Sequence, residues 1–393
     1  MKARVLAFDG DEMNIFPAQS YESKTELMML SSTKKHIISP QESKNNLNIV
    51  QDSLLGSYLL TKGEVEISRS TFQSISMNGK RPDGSALWNR GKINTISRVF
   101  RRFGKKSNAF TGKGLISLLF PDDFCYEKKN NGTDGEPEVK IFNGVMYAGV
   151  LNKGVLGSAH NSLIQVLYKE YGVDTACNFI DNIQFLSNAW LQGNGFSVGL
   201  EDCMVTSKEN MEKIHTNLAK CYIEAEGIEK TTQNPGIREV RVTASLSKAK
   251  DIGMKIAKDA MRKDNNLLFT VGSGSKGSFF NIAQLTGMLG QQNLQGARVA
   301  PTLNHGKRTL IHYPFSGMDK QTEYESRGFI RHSFMHGLNP QEFYFHAMSG
   351  REGVCDKKIV SLTASCLIGC SITSQDKQCK LELVLLVRVN ITC

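Results

Sequence analysis

Residues 207–262 read SKENMEKIHTNLAKCYIEAEGIEKTTQNPGIREVRVTASLSKAKDIGMKIAKDAMR and predict two long helices joined by a short turn. Apolar residues recur at helical spacing in both halves, which is typical of an amphipathic helix. The first stripe comprises Met211, Ile214, Leu218 and Tyr222, and the second comprises Ala249, Ile252, Ile256 and Ala260. Ser207 is a plausible N-cap, and Gln233-Asn-Pro-Gly236 breaks the pattern. The stretch therefore predicts an antiparallel helical hairpin with charged outer faces.

The chain on either side of the hairpin predicts a mixed α+β fold. A short apolar run, Val5–Phe8, indicates a strand that ends in an acidic turn. Helical pattern covers residues 23–30, extended structure is expected up to Leu60, and the composition of residues 125–140 favours a loop. Small residues dominate 271–292 before a helical stretch, and Pro340 is typical of a helix start.

Bulk composition favours a globular protein with polyanionic partners. The chain has 393 residues, 40% of them apolar, and a formal net charge of +10. Basic proteins attract nucleic acid first and acidic membranes second. No apolar run is long enough to span a membrane, and the N-terminus lacks the apolar core of a secretory signal. The nine cysteines have no regular spacing, so we expect reduced thiols in a cytosolic or nuclear setting.

Asp9-Gly-Asp11 is the sharpest local candidate for chemistry. Gly10 permits a tight backbone, so both carboxylates can turn toward one cation, and carboxylate oxygens suit Mg²⁺. A calcium loop and a plain acidic turn fit the same residues. An apolar strand before Asp-x-Asp also begins phosphatases of the haloacid-dehalogenase type, with Asp122-Asp123 as a later acidic pair, but the required strand–helix alternation is lacking.

Three further features carry alternative interpretations. A basic cluster interleaved with Phe100 and Phe103 is a candidate for nucleic-acid binding, with a solvated loop as the alternative; its members are Arg98, Arg101, Arg102, Lys105 and Lys106. His346 lies among aromatic residues, where a packing histidine is favoured over a ligand. Residues 272–277 lack the spacing of a phosphate-binding loop and favour a structural turn.

Several segments, in the same order along the chain, resemble the largest subunit of multisubunit DNA-dependent RNA polymerases, of the eukaryotic or large-DNA-virus type. They are Phe8–Asn14 (FDGDEMN), Ile49–Gly56 (IVQDSLLG), Gly193–Asp202 (GNGFSVGLED), Gly274–Gln284 (GSKGSFFNIAQ), Gly290–Gln292 (GQQ), Glu325–Phe329 (ESRGF) and Leu338–Gly353 (LNPQEFYFHAMSGREG). The resemblance covers residues 8–357. It implies an active-site loop remnant of a double-psi barrel over 1–19, a pore domain over 20–204 and a helical funnel domain over 205–315. The start of a bridge helix in a cleft domain would follow over 316–358, and 359–393 would be a non-matching tail.

The resemblance also implies a function and its site. The family joins nucleoside triphosphates to the RNA 3′ end on a DNA template, as a magnesium-dependent nucleotidyltransferase. Asp9 and Asp11 would be the catalytic metal ligands, although Ala7 stands where the family has a further aspartate. The residues beside the nucleotide channel and bridge helix would be Gln341, His346, Arg351 and Glu352.

Partners and location follow from the same resemblance. We expect the second-largest subunit, other polymerase subunits, template DNA, RNA and nucleoside triphosphates as partners, with no membrane, in the nucleus or in the cytoplasm or virion of a virus. The chain resembles an internal fragment whose ends pass into unrelated sequence, as an intron, a frameshift or a split gene would produce, and we expect it to be inactive alone. The alternative is a non-catalytic module that docks on polymerase subunits or binds nucleic acid.

Overall fold

The computed structural model describes residues 17–81, 84–105, 108–129, 138–204, 208–262, 264–314 and 317–355. These residues form two compact units. Unit 1 contains, among the described residues, 17–197 and 269–276; unit 2 contains 198–268 and 277–355. Helices predominate and are accompanied by short antiparallel strands, which confirms the α+β expectation.

Unit 1 is mainly helical. Its helices are α1 (Tyr21–Met29), α2 (Gln51–Thr61), α3 (Arg69–Asn78), α4 (Arg90–Arg102), α5 (Gly112–Ser117), α6 (Lys153–Leu156) and α7 (Leu163–Asn194). Its strands β1 (Tyr126–Lys129), β2 (Glu138–Phe142) and β3 (Val145–Ala148) form one antiparallel sheet in that order, with Tyr126 opposite Ile141 and Phe142 opposite Val145. The strands leave their aromatic residues facing the surrounding helices.

Close packing of α2 on α7 organises the core of unit 1. The Ser57 and Ser187 hydroxyls are 2.7 Å apart. A Cβ atom at Gly56 would lie 2.8 Å from the Ser187 carbonyl oxygen, so only glycine permits this approach. Around this pair, buried aliphatic and aromatic side chains from α2 to α7 form one continuous apolar cluster.

Two expectations for unit 1 are wrong. The stretch up to Leu60 is helical from Gln51, not extended. Both faces of this helix are buried, so its apolar residues follow the chain without the 3.6-residue period that marks a surface helix. The two ends of the loop expected over 125–140 are strands instead, because Tyr126 and Val139 enter the core and the segments 126–129 and 138–141 pair; residues 130–137 lie outside the described residues.

Unit 2 is built on the expected hairpin. Its helices are α8 (Lys208–Thr231) and α9 (Pro235–Ala260), followed by α10 (Asn266–Ser273), whose end belongs to unit 1, then α11 (Phe279–Thr286), α12 (Leu303–Gly306), α13 (Lys320–Ser326) and α14 (Pro340–Val354). Strands β4 (Gly290–Gln291) and β7 (Phe329–Ile330) pair antiparallel, as do β5 (Asn293–Leu294) and β6 (Ala297–Arg298).

The hairpin turn follows the sequence prediction. Asn234 caps α9 by accepting hydrogen bonds from the backbone N–H groups of Gly236 and Ile237, and Pro235 occupies the first helical position. Leu218 on α8 and Val242, Leu246 and Ala249 on α9 are buried together with Tyr324 and Phe329. Ser207 lies outside the described residues. The structure therefore confirms the hairpin and places one face of it against α13 and β7.

No helix among the described residues is both long enough and apolar enough to cross a membrane. The cysteines that the structure describes are free thiols, in agreement with the reduced state expected from their spacing; they are Cys125, Cys177, Cys203, Cys221 and Cys355.

Candidate functional site

The start of α14 is fixed by side-chain capping. Asn339 and Glu342 form a reciprocal capping box, and Pro340 takes the first helical position. The Asn339 backbone N–H donates to Glu342 Oε2 at 3.0 Å. Two of the orphan N–H groups of the helix are thereby satisfied by side chains, which fixes where α14 begins and in which direction the chain enters it.

Glu342 also ties α14 to the β4–β7 pair. The carboxylate is buried and accepts from His332 Nδ1, with its two oxygens 3.0 and 2.8 Å from that nitrogen. The backbone carbonyl of His332 in turn accepts from the Leu289 N–H, next to β4. A buried carboxylate is stable only when it is paired and hydrogen-bonded, so this contact holds helix and strands in one arrangement.

The four α14 residues of interest fall into two groups. His346 and Glu352 pack within unit 2: His346 Nδ1 lies 3.4 Å from Gln292 Oε1 and its ring meets Phe334 edge-on, and Glu352 accepts from the Gln295 backbone N–H at 2.7 Å. Gln341 is half-buried and Arg351 is exposed. These last two make no side-chain hydrogen bond or ion pair within the part of the chain that the structure describes, so they are the pair left available to an outside partner.

The outer face of α14 is apolar as well as charged. Phe343 and Tyr344 are 61% and 51% exposed, whereas Phe345 is buried and stacks near Tyr313. The same helix therefore has one face packed in unit 2 and another that presents aromatic rings to the outside.

A charged cluster connects the hairpin to the strands. The Glu239 carboxylate on α9 accepts two hydrogen bonds from Arg298, from Nε at 2.6 Å and Nη2 at 2.7 Å. Arg327 donates to the same carboxylate at 3.0 and 3.3 Å. These hydrogen bonds from Arg298, together with the charges of both arginines, lower the pKa of Glu239 although its partial burial acts in the opposite direction.

A polar contact also closes the base of the hairpin. Asp202, the last residue of one polymerase-like segment, accepts from the Gly199 and Asn266 backbone N–H groups through its carboxylate. Its backbone carbonyl accepts from Asn265 Nδ2 at 2.8 Å. This segment is therefore a structural tie between the chain before α8 and the chain after α9.

The glycine-rich segment before α11 is also a structural turn. Gly274 has φ of +77°, and a Cβ there would lie 2.6 Å from the Cβ of Lys153. The Gly274 backbone N–H donates to the Val271 carbonyl, which closes the turn. These contacts belong to unit 1 and agree with the structural reading of residues 272–277.

The expected metal ligands lie outside the described residues, as Asp9 and Asp11 both fall within 1–16. Within the described part of the chain, no group of three or more His, Cys, Asp or Glu side chains is placed to hold a metal ion. The acidic pair Asp122-Asp123 is no exception, since Asp122 is paired with Lys92, and the antiparallel sheet nearby is unlike the strand–helix repeat of the dehalogenase-type alternative.

The three arginines of the basic cluster belong to a helix, and Lys105 follows its end. Arg98, Arg101 and Arg102 are exposed on the final turns of α4. Lys105 pairs with Glu64 at 3.3 Å, and Lys106 lies outside the described residues. Phe100 is buried in the core of unit 1, so only Phe103 of the two interleaved rings is open to solvent.

Sequence reasoning did not find the residues that hold unit 2 together. The Asn339-Pro-Gln-Glu342 spacing carries a capping-box signal that could have identified Glu342. Glu239, Arg298 and Arg327 carry no local signal, because their partners are far apart along the chain and only the fold brings them together.

Comparisons with known proteins match the chain, in order, to two successive domains of one protein family. Residues 36–203 match the family described as RNA polymerase Rpb1, domain 3, and residues 224–330 match RNA polymerase Rpb1, domain 4. The chain is 44% identical over 379 residues to a probable DNA-directed RNA polymerase II subunit RPB1 homolog of Invertebrate iridescent virus 6, covering 91% of this chain and 36% of the relative. It is 30% identical over 366 residues to the DNA-directed RNA polymerase II subunits RPB1-A and RPB1-B of Trypanosoma brucei brucei, covering 90% of this chain and 20% of each relative. The chain thus spans about a third of the viral relative and a fifth of the trypanosome relatives.

Proposed function

The chain belongs to the family of largest subunits of multisubunit DNA-directed RNA polymerases, and on that premise we propose that it takes part in DNA-templated RNA synthesis. The reaction is nucleotidyl transfer from a nucleoside triphosphate to an RNA 3′ end. One observation carries the proposal beyond the family: α14 is capped and held on one face by Glu342, while its other face keeps Phe343, Tyr344 and Arg351 open.

Four α14 residues have a role in this proposal; they are Gln341, His346, Arg351 and Glu352. Arg351 would meet a phosphate group of the substrate or of nucleic acid, because guanidinium groups bind phosphate through paired donors. Gln341, nearer the capped end, would contact a base or sugar. His346 and Glu352 are positioning residues that hold α14 through Gln292 and Gln295.

Asp9 and Asp11 are the proposed metal ligands. Their carboxylates are the hard oxygen donors that Mg²⁺ takes in proteins, and Gly10 between them removes the steric barrier to a tight turn. When bound, Mg²⁺ would supply charge stabilisation to the phosphate oxygens of the reaction. Ala7 contributes no carboxylate, so this chain would hold the ion with fewer protein ligands than the family pattern has.

The proposed partners are those of a polymerase assembly. They are the second-largest subunit, further polymerase subunits, template DNA, RNA and nucleoside triphosphates. The proposed location is the nucleus, or the cytoplasm or virion if the protein is encoded by a virus. The exposed Phe343 and Tyr344 favour burial against another subunit, because neighbouring aromatic rings are rarely left open on a monomer.

Assembly followed by RNA extension tests the proposal. The chain would be co-expressed with the rest of a largest subunit, supplied as separate polypeptides, with the second-largest subunit and with the further polymerase subunits. Extension of an RNA primer on template DNA would be measured with and without Mg²⁺. We expect Mg²⁺-dependent extension that Asp9→Ala and Asp11→Ala each abolish, while Asp251→Ala, at an exposed site on α9, leaves it unchanged. An assembly whose extension is indifferent to Asp9→Ala would instead support the non-catalytic docking module.

A further inference from the structure

The end of α4 in unit 1 combines unpaired positive charge with an open aromatic stack. Arg98, Arg101 and Arg102 are three and four positions apart, so they share one helical face, opposite the buried Ile96 and Val99. All three are exposed. No carboxylate among the described residues lies within ion-pair distance of them.

This arrangement costs free energy within the chain itself. Like charges three or four residues apart on a helix repel each other, and within the described part of the chain no acidic neighbour offsets the repulsion. Part of the cost is recovered because Arg101 and Arg102 lie in the last helical turn, where cations complement the helix dipole. That effect does not involve Arg98, and it does not require the aromatic residues that lie beside the arginines.

The aromatic residues form an ordered platform. Phe103 stacks on Tyr147 of β3 with ring centroids 3.9 Å apart and the rings 4° from parallel. Phe142 of β2 meets Phe103 edge-on at 5.9 Å, and the Arg102 guanidinium lies 5.3 Å from the Phe142 ring centroid. Phe103 stays 39% exposed although it stacks on Tyr147. The stack therefore orients the Phe103 ring while part of the ring remains open to solvent.

We propose that this surface, defined by Arg98, Arg101, Arg102, Phe103, Phe142 and Tyr147, binds single-stranded nucleic acid. The arginines would bind consecutive phosphates, and an unstacked base would lie on Phe103. Single strands suit such a surface because their bases are free to stack on a protein ring, whereas a duplex keeps its bases stacked on each other. The proposal does not rest on the polymerase activity or on the α14 site.

An acidic protein surface is the competing occupant, since it would also be attracted by three arginines. An acidic protein surface would not require an exposed, stacked ring beside the arginines, whereas a nucleic-acid base can stack on such a ring. The aromatic platform therefore favours nucleic acid. The two occupants differ in a measurable way: a nucleic acid needs both the charges and the ring, and a purely anionic partner needs only the charges.

Binding measurements on the full chain distinguish the contribution of the arginine charges from that of the aromatic ring. Fluorescence anisotropy would be followed with three fluorescein-labelled probes: a twelve-nucleotide oligouridylate, a twelve-nucleotide oligothymidylate and an abasic phosphodiester strand of equal length. Substituting Arg98, Arg101 and Arg102 together by alanine should weaken binding of all three probes at least tenfold. It should also reduce the slope of log affinity against log salt by about 2, because each single-strand phosphate contact contributes about 0.7.

Phe103→Leu isolates the stacking component. We expect binding of the two base-bearing probes to weaken about fivefold or more, with the abasic strand unaffected, because leucine keeps an apolar side chain but no ring. The matched control replaces Lys24, Lys35 and Lys169, three exposed basic residues of unit 1 outside α4, by alanine; it should change affinity by less than twofold.

Two results would overturn the proposal. Equal losses in the arginine variant and in the control would mean that binding follows net charge and not this surface. A wild-type chain that binds the abasic strand as tightly as the oligouridylate, with Phe103→Leu silent, would assign the surface to an anionic partner without bases. Circular dichroism of each variant would verify that α4 is still folded.

Discussion

Units 1 and 2 are stabilised by different means. Unit 1 has a continuous apolar core in which Phe120 stacks with Phe124 at 5.4 Å and with Phe179 at 5.5 Å. Unit 2 has a smaller apolar cluster around Tyr324 and Phe329 and relies on buried charge, through Glu239 with two arginines and Glu342 with His332. Apolar burial is nondirectional, whereas a shared carboxylate works in one geometry only. The difference indicates that unit 1 serves as a scaffold and that unit 2 holds specific elements in register.

Removing a core ring from unit 1 should have the largest effect. Phe124→Ala deletes a fully buried side chain from the stack, and such truncations cost about 3–5 kcal/mol because a cavity is left behind. Both tryptophans of the chain, Trp88 and Trp190, lie in unit 1, so urea unfolding followed by tryptophan fluorescence reports on this unit. A loss of under 1 kcal/mol would mean that the core is not what stabilises unit 1.

Neutralising Glu239 should destabilise unit 2 by a smaller amount. Glu239→Gln leaves the nearly buried Arg298, 4% exposed at its side chain, without a carboxylate. Breaking a buried pair in this way costs several kcal/mol, and the partial exposure of Glu239 reduces the expected loss to about 2 kcal/mol. Hydrogen exchange of α9 and β6 amides should accelerate while the tryptophan transition stays in place.

The control for this variant is Glu226→Gln, which removes the exposed pair between Glu226 and Lys230 on α8. That change should leave hydrogen exchange in α9 and β6 as it is in the wild type. If both variants behaved alike, general charge on the hairpin would matter and the Arg298 contact would not.

Lowering the pH should weaken the contact between Glu239 and its arginines and should therefore affect unit 2 more than unit 1. The pKa of Glu239 is lowered in the folded chain from its ordinary value of 4.5, so its stabilising contribution is complete above that pH and is lost as pH falls through the lowered pKa. We expect α9 exchange to rise relative to α7 exchange, after correction for intrinsic rates, below about pH 4.5. The excess should shrink in Glu239→Gln, and an undiminished excess there would assign the acid sensitivity to other groups.

The smallest effect should come from the hairpin turn. Asn234→Ala removes the side chain that accepts from Gly236 and Ile237 and should cost about 1 kcal/mol, while Asn234→Ser should recover most of it. Exchange measured in the first turn of α9 checks this expectation. A uniform change throughout α9 would mean that the cap sets the stability of the whole helix and not of its first turn.

Elements with a solvent-facing side could be predicted from sequence, and fully buried ones could not. The hairpin was predictable because Leu218, Tyr222 and Ala249 belong to apolar stripes at helical spacing between charged residues, and these side chains pack in the apolar cluster of unit 2. Helix α2 was misassigned because its residues are buried on nearly every side and leave no period to detect. Strands β1 and β2 were missed because each is only four or five residues long, with one buried residue in β1 and two in β2, which is too short a pattern to stand out beside the turn-forming residues that follow β1.

The candidate site likewise contains residues that local sequence could predict and residues whose placement it could not. The start of α14 was predictable from Asn339, Pro340 and Glu342, whose spacing is a local signal. The placement of His332 against Glu342 and of Arg298 against Glu239 depends on tertiary structure. Assignment of Asp9 and Asp11 rests on resemblance of a short segment to the polymerase loop and stays a prediction.

Metal-directed cleavage would show whether Asp9 and Asp11 hold the catalytic ion. In the assembled polymerase, Fe²⁺ in place of Mg²⁺ would generate hydroxyl radicals that cut the backbone beside the metal. The account predicts cleavage of this chain close to residues 9–11, suppressed by excess Mg²⁺ and absent in the Asp9→Ala, Asp11→Ala double variant. Cleavage that persists unchanged in the double variant, or that spares this segment in the wild type, would contradict it.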